Sequence, residues 1–147
     1  MKVVVQRSKH SSVSVDKKLI NEIDNGLVLL VGIHNDDTEV DIDYLVKKVV
    51  NLRIFDDEFG VMNKSIIDSG GSILSISQFT LQAETKNGNR PSYINAMKGE
   101  DALKLYELFN SKLKEYVATY PGVFGAEMEV NITNDGPVTI IIDSKDK

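Results

Sequence analysis

The sequence predicts an α+β fold in which mixed or antiparallel sheets, layered and in part a partly open barrel, are covered by two main helices. Three observations carry this. Short apolar runs that alternate or are continuous recur from the N-terminus to the C-terminus, two longer stretches repeat at helical spacing, and tight-turn signals between strands outnumber strand-helix-strand units. With 147 residues, 41% of them hydrophobic, the chain is expected to form one domain over residues 1–147 around a sizeable core.

Lys2 to Gln6 and Ser12 to Val15 read as strands, the second because Val13 and Val15 alternate with serines. Asp16, Lys17 and Lys18 make a hairpin turn into Leu19 to Ile23. After the Asn25-Gly26 turn, Leu27 to Val31 is a continuous apolar run, which suits a central strand buried on both faces. Thr38 with Asp41 three residues on resembles a capping box, and Ile42, Leu45, Val46 and Val49 then follow at helical spacing, giving a helix over about 38 to 50.

Asn51 to Phe55 is expected as a short strand and Asp56 to Gly60 as a solvated turn. The three carboxylates there lack the alternating ligand pattern of a calcium loop, so no metal is assigned. Ser72 to Thr80 is the next strand, turning polar toward its end. Leu81 to Gly99 is a long connection, and loops of that length are commonly functional. Glu100 to Tyr120 carries one apolar stripe, including Tyr106, Phe109, Tyr116 and Tyr120 as expected core residues, and Pro121-Gly122 stops it. Ala126 to Thr133 alternates as a half-buried strand, and Val138 to Ile142 is the last. Between these two lies Asn134-Asp135-Gly136-Pro137-Val138-Thr139, which by residue type alone is an ordinary hairpin corner with a rigid exit.

Composition excludes several chemistries. A net charge of −5 argues against non-specific binding along a nucleic-acid backbone, although a few residues can still hold one end of an RNA. The chain has no cysteine, hence no disulfide framework or thiolate nucleophile, and no run approaches the 18 apolar residues or so of a membrane span. A cytoplasmic protein without membrane attachment is the expectation. Only His10 and His34 can serve as imidazole bases, and His34 beside Asn35-Asp36-Asp37 reads as a turn histidine. No metal-ligand spacing, phosphate loop or dinucleotide fingerprint is present, so no cofactor is expected. The remaining candidate is Ser77, Gln78, Phe79 and Thr80, whose hydroxyl, amide and main-chain groups can donate to an ester carbonyl. An edge strand going polar explains them equally well.

Taken together, several stretches resemble one family, the D-aminoacyl-tRNA deacylases, also called D-tyrosyl-tRNA deacylases. They are Val4 to Arg7; Asp36 to Thr38; Asn51 to Phe55; Met62-Asn63; Gly71; Ser77 to Leu81; Asn89 to Ser92; Phe124 to Ala126; Met128; and Asn134 to Thr139. The departures are Ser8, Ser11, Glu84 and Tyr93, and none touches the Ser77–Leu81 or Asn134–Thr139 motif. The resemblance implies hydrolysis of the ester joining a D-amino acid, or glycine, to the terminal adenosine of tRNA, by a homodimer with its active site at the interface. It implies that the main chain around Phe79 stabilises the oxyanion, with Ser77, Gln78 and Thr80 beside it. It further implies that a cis Gly136-Pro137 peptide reaches into the partner's pocket, oriented by Arg7, and that Met128 and Asn134 complete the substrate side. Lys86 and Arg90, in the long connection, are the candidates for contacting the acceptor end of the RNA.

Overall fold

The computed structural model describes residues 1–147. The fold is built on β1 (Lys2–Val15), which pairs antiparallel with three others: its first half with β3 (Gly26–Gly32), its second half with β2 (Lys18–Ile23), and both halves with β8 (Glu129–Asp143). β3 continues in parallel to β6 (Ser72–Ser77), and β6 to β7 (Thr119–Pro121). Asn21 Nδ2 donates to the Pro121 carbonyl at 2.7 Å, which draws β2 and β7 together and nearly closes the sheet into a barrel. A two-stranded ribbon, β4 (Phe55–Asp56) with β5 (Met62–Lys64), stands apart. α1 (Glu39–Asn51), the short α2 (Ile66–Ser69) and α3 (Gly99–Lys114) complete the chain, and no helix is long and apolar enough to cross a membrane.

The central-strand expectation for residues 27–31 holds. Leu27, Leu29 and Val31 face the larger core, against Ile42, Leu45 and Val49 of α1 and Phe109 and Leu113 of α3, while Val28 faces the barrel interior with Val13, Leu74 and Ile76. Burying each such side chain stabilises the fold by about 1.5–3 kcal/mol. Met128, just before β8, and Val130 and Ile132 of β8 cover the second core.

Five local expectations are corrected. Residues 2–15 form one strand, because β8 runs beside both halves and carries them across register shifts around Ser8. The strand expected over 51–55 is only Phe55–Asp56, since α1 runs to Asn51. β6 ends at Ser77, and Phe79–Gln82 form a 3-10 turn. The last long helix ends at Lys114, because Thr119–Pro121 pairs with the free edge of β6; Tyr106 and Phe109 are core, but Tyr116 and Tyr120 are exposed. Finally, Asn134–Thr139 is not a hairpin corner. It lies within β8, which continues in one direction on both sides of it.

α1 begins as its capping box requires: Thr38 Oγ1 accepts from the Val40 N–H at 3.3 Å and Asp41 Oδ2 from the Thr38 N–H at 2.9 Å. Asp41 Oδ1 also accepts from the Ser144 hydroxyl at 2.7 Å and lies 3.0 Å from Lys145 Nζ, tying the C-terminal residues to the helix. Burial pushes the Asp41 carboxyl up, but the Thr38 N–H, the Ser144 hydroxyl and the Lys145 ammonium more than offset it and hold the group well below the usual carboxylate range. A depressed acid stabilises the fold above its unfolded-state pKa of about 4 and loses that contribution as pH falls toward the folded value. Asp41→Asn is therefore expected to cost about 1–2 kcal/mol at pH 7 and progressively less below about pH 4, as read from urea midpoints across pH.

Candidate active site

The end of β6 shapes the first half of the site. Gln78 N–H donates to the Val31 carbonyl at 2.7 Å, and the chain then tightens, with the Leu81 N–H donating to Gln78 O at 3.2 Å and the Ala83 N–H to Thr80 O at 3.1 Å. The turn lies flat on the end of β3. A Cβ on Gly32 would stand 2.8 Å from Leu81 Cβ and 3.0 Å from Gln78 O, so only glycine admits the turn there. Buried Gln82 locks it by donating Nε2 to the Gly32 carbonyl at 2.9 Å. Sequence reasoning missed both residues; the available signal was a glycine closing an apolar strand.

Beside this turn opens a pocket of about 540 Å³. Ser77, Gln78 and Phe79 form one wall, Met97 and Ala102 another, and Phe124 to Met128 a third. Phe79 is about half exposed and meets Tyr93 edge-on, with ring centroids 5.0 Å apart, so the long connection braces the pocket's rim. Thr80 does not line the pocket, and its Oγ1 accepts from Gln78 Nε2. Because Phe79 and Thr80 open the turn, no carbonyl of their own turn stands behind their N–H groups.

The second candidate region is the interruption in β8. Gln6 pairs with Thr139 and Ser8 with Asn134, so Arg7 alone stands opposite Asp135, Gly136, Pro137 and Val138, and the longer stretch bulges out. The Gly136–Pro137 peptide is cis, and Gly136 has φ +121°. Asn134 clamps the base of the bulge: its Nδ2 is 3.0 Å from both the Arg7 and the Val138 carbonyls, and its Oδ1 accepts from the Thr139 hydroxyl at 3.2 Å. Arg7, mostly buried, donates Nη1 to the Ile54 carbonyl at 2.8 Å and holds Nε 3.3 Å from Asp135 Oδ2.

Within one chain the two regions are separate. Ser77, Gln78, Phe79 and Met128 line the pocket; Arg7, Asn134, Gly136 and Pro137 do not. Lys86 and Arg90 are exposed in the 83–98 connection, also outside the pocket lining. His34 bridges to Ala96 and opens the turn that the Asp37 N–H closes on its carbonyl at 3.0 Å, with Nδ1 2.6 Å from Asp36 Oδ1, and Asp57 accepts from the Phe59 and Val61 N–H groups at 2.9 and 3.0 Å, as a turn aspartate does.

The family model described as D-Tyr-tRNA(Tyr) deacylase matches residues 4–143. This chain belongs to that family. As a family member it is a D-aminoacyl-tRNA deacylase, a hydrolase whose substrate is an aminoacylated tRNA. Among solved structures, c-Myc DNA unwinding element binding protein is 41% identical, with 97% of this chain and 98% of that one covered at a TM-score of 0.93. A probable eukaryotic D-amino acid tRNA deacylase shares the fold at 15% identity, with 96% and 97% covered and a TM-score of 0.82. The deacylase fold thus extends over nearly the whole chain.

Proposed function

We propose that the pocket beside Phe79 binds the aminoacylated terminal adenosine of tRNA, and that water attacks the ester there without a protein nucleophile or cofactor. The observation that carries this reading is the 3-10 turn on the pocket wall. Its opening N–H groups, at Phe79 with Thr80 next to it, are available to a carbonyl oxygen as it gains charge, and donors held in advance cost no reorganisation at that moment. Ser77 and Gln78 flank the same wall.

Chirality follows, on this reading, from a homodimer in which the 134–139 bulge of one protomer enters its partner's pocket. The main chain of Gly136 and Pro137 then fills the space that an L side chain needs, while a D residue or glycine leaves it clear. What supports this is that the bulge stands outside the lining of the pocket beside Phe79 in its own chain yet is clamped by Asn134 and Arg7, and Met128 waits on the pocket side. Incubating the protein with D-tyrosyl-, L-tyrosyl- and glycyl-tRNA tests it. The D and glycyl esters are expected to be lost and the L ester retained, by a species of twice the chain's mass in light scattering. Equal loss of D and L esters, or an active monomer, would overturn the chirality device.

A second reading, a catalytically silent nucleic-acid or partner-binding dimer of the same fold, draws on the 41% identical relative, whose name records DNA binding. The chain's net charge of −5 weighs against a broad phosphate footprint. With Lys86 and Arg90 as the acceptor-end contacts, log K against log salt is expected to have a slope of only about −1 to −2. A slope of about −5 or steeper, without ester loss, would favour the second reading.

A further inference from the structure

A second groove adjoins the pocket, and the mechanism above makes no use of it. It has a volume of about 490 Å³ and lies between one face of α3 and the loop from Pro121 to Phe124. Leu103, Tyr106, Asn110 and Lys114 follow one another along that face at intervals of three or four residues, so they form a continuous bank. Phe124 belongs to both hollows: it lines the pocket beside Phe79 and also this groove, where its ring lies 5.7 Å from that of Tyr106. The two are therefore neighbours across a single aromatic wall.

The chemistry of the groove is not that of simple packing. Tyr106 is buried and donates its hydroxyl to the Ser75 carbonyl at 2.6 Å, which fixes the floor. Asn110 is 5% exposed, lines the groove, and leaves its Oδ1 without a hydrogen-bond partner. An unpaired buried acceptor is costly, so a native structure that keeps one invites a donor. Lys114 is exposed at the far end, Ser111 stands between it and Asn110, and the exposed Glu107 carboxylate lies nearly two turns before Lys114. An aromatic and aliphatic bank, one amide acceptor and one cation together match an unstacked nucleotide: a ring to pack, an exocyclic amino group to donate, a phosphate to neutralise.

We infer that this groove holds the cytidine that precedes the terminal adenosine of tRNA, its amino group donating to Asn110 Oδ1 and its 5′-phosphate facing Lys114. The inference rests on the reading that the pocket beside Phe79 takes the adenosine, since only then does Phe124 separate consecutive nucleotides. It gives the deacylase a contact with the acceptor end that is independent of the amino acid.

Three synthetic esters test it: D-tyrosyl-adenosine, and D-tyrosyl-cytidylyl-adenosine and D-tyrosyl-uridylyl-adenosine each carrying a 5′-phosphate, with D-tyrosyl-tRNA as the reference. The quantity read is the ratio of kcat/KM for each dinucleotide ester to that for the adenosine ester. For the cytidylyl ester this ratio is expected to be about ten or more, and for the uridylyl ester, which lacks the amino donor, several-fold lower. Asn110→Leu should bring the two dinucleotides level, and Lys114→Ala, at an exposed position where folding is not at risk, should lower both ratios together. Cleavage of the adenosine ester with no gain from the added cytidine, or a gain unaltered in both variants, overturns the inference and leaves the deacylase reading standing. Failure to cleave any ester, D-tyrosyl-tRNA included, in a sample that melts cooperatively overturns both.

Discussion

Replacing the terminal ribose of D-tyrosyl-tRNA by its 2′-deoxy form is expected to lower deacylation by at least about a hundredfold, whereas Thr80→Ala keeps appreciable activity. A threonine hydroxyl needs an adjacent base to attack at neutral pH. Thr80 Oγ1 is engaged with Gln78 Nε2 and stands outside the pocket lining, while His34 is paired with Asp36 and His10 lies near Glu22 and Asp24. The substrate carries its own hydroxyl beside the acylated oxygen, placed to orient or activate the attacking water. If, as proposed, the oxyanion donors are main-chain N–H groups, side-chain truncation leaves the chief contribution in place. Single-turnover rates with the two RNAs and the variant decide the matter. A covalent aminoacyl adduct on Thr80, or undiminished cleavage of the deoxy substrate, would make the hydroxyl the nucleophile.

Gly136→Ala is expected to lower the D-ester rate about a hundredfold while the protein still folds. Gly136 has φ +121°, a conformation that L side chains rarely adopt, and a Cβ there would stand 2.8 Å from Val138 Cγ2 and 3.1 Å from both Arg7 Nη2 and the Val138 nitrogen. Arg7 cannot simply withdraw, because Nη1 is committed to the Ile54 carbonyl. The bulge must move instead, and a shift of about 1 Å in a positioning element is enough to cost a factor of this size. The strand pairs on either side, Gln6 with Thr139 and Ser8 with Asn134, are not themselves altered, so the stability loss should stay within about 1–3 kcal/mol. Parallel measurement of kcat/KM and the thermal midpoint separates the two effects. Full activity in a normally folded variant would mean that the bulge is not part of the site.

Most secondary elements were legible because their causes are local. The α1 cap requires only Thr38 and Asp41 at the right spacing, and the buried β3 only an unbroken apolar run, so both stand where the sequence put them. Ser77, Gln78, Phe79 and Met128 were also nameable in advance, and all four line one pocket. The errors share another cause. Tyr116, Val117 and Tyr120 continue a helical apolar stripe but lie beyond the helix, because the open edge of β6 offers Thr119 to Pro121 backbone partners that periodicity does not reveal. Asn134 to Thr139 has the composition of a reversal, yet the strand goes straight on.

The sequence by itself determined the α+β class, the central strand, the capped helix and the two motifs, since alternation, capping and turn chemistry act within a few residues. Only the tertiary structure decided what those motifs do to the chain. The polar end of β6 becomes a 3-10 turn because Gly32, from a different strand, leaves room for Leu81 and accepts from Gln82. The Asn134–Thr139 stretch becomes a bulge rather than a corner because β1 lies beside both of its flanks and pairs with each, so that the surplus residues are forced outward where Arg7 can hold them. Both outcomes depend on residues distant in sequence meeting across the sheet, and no local pattern encodes that meeting.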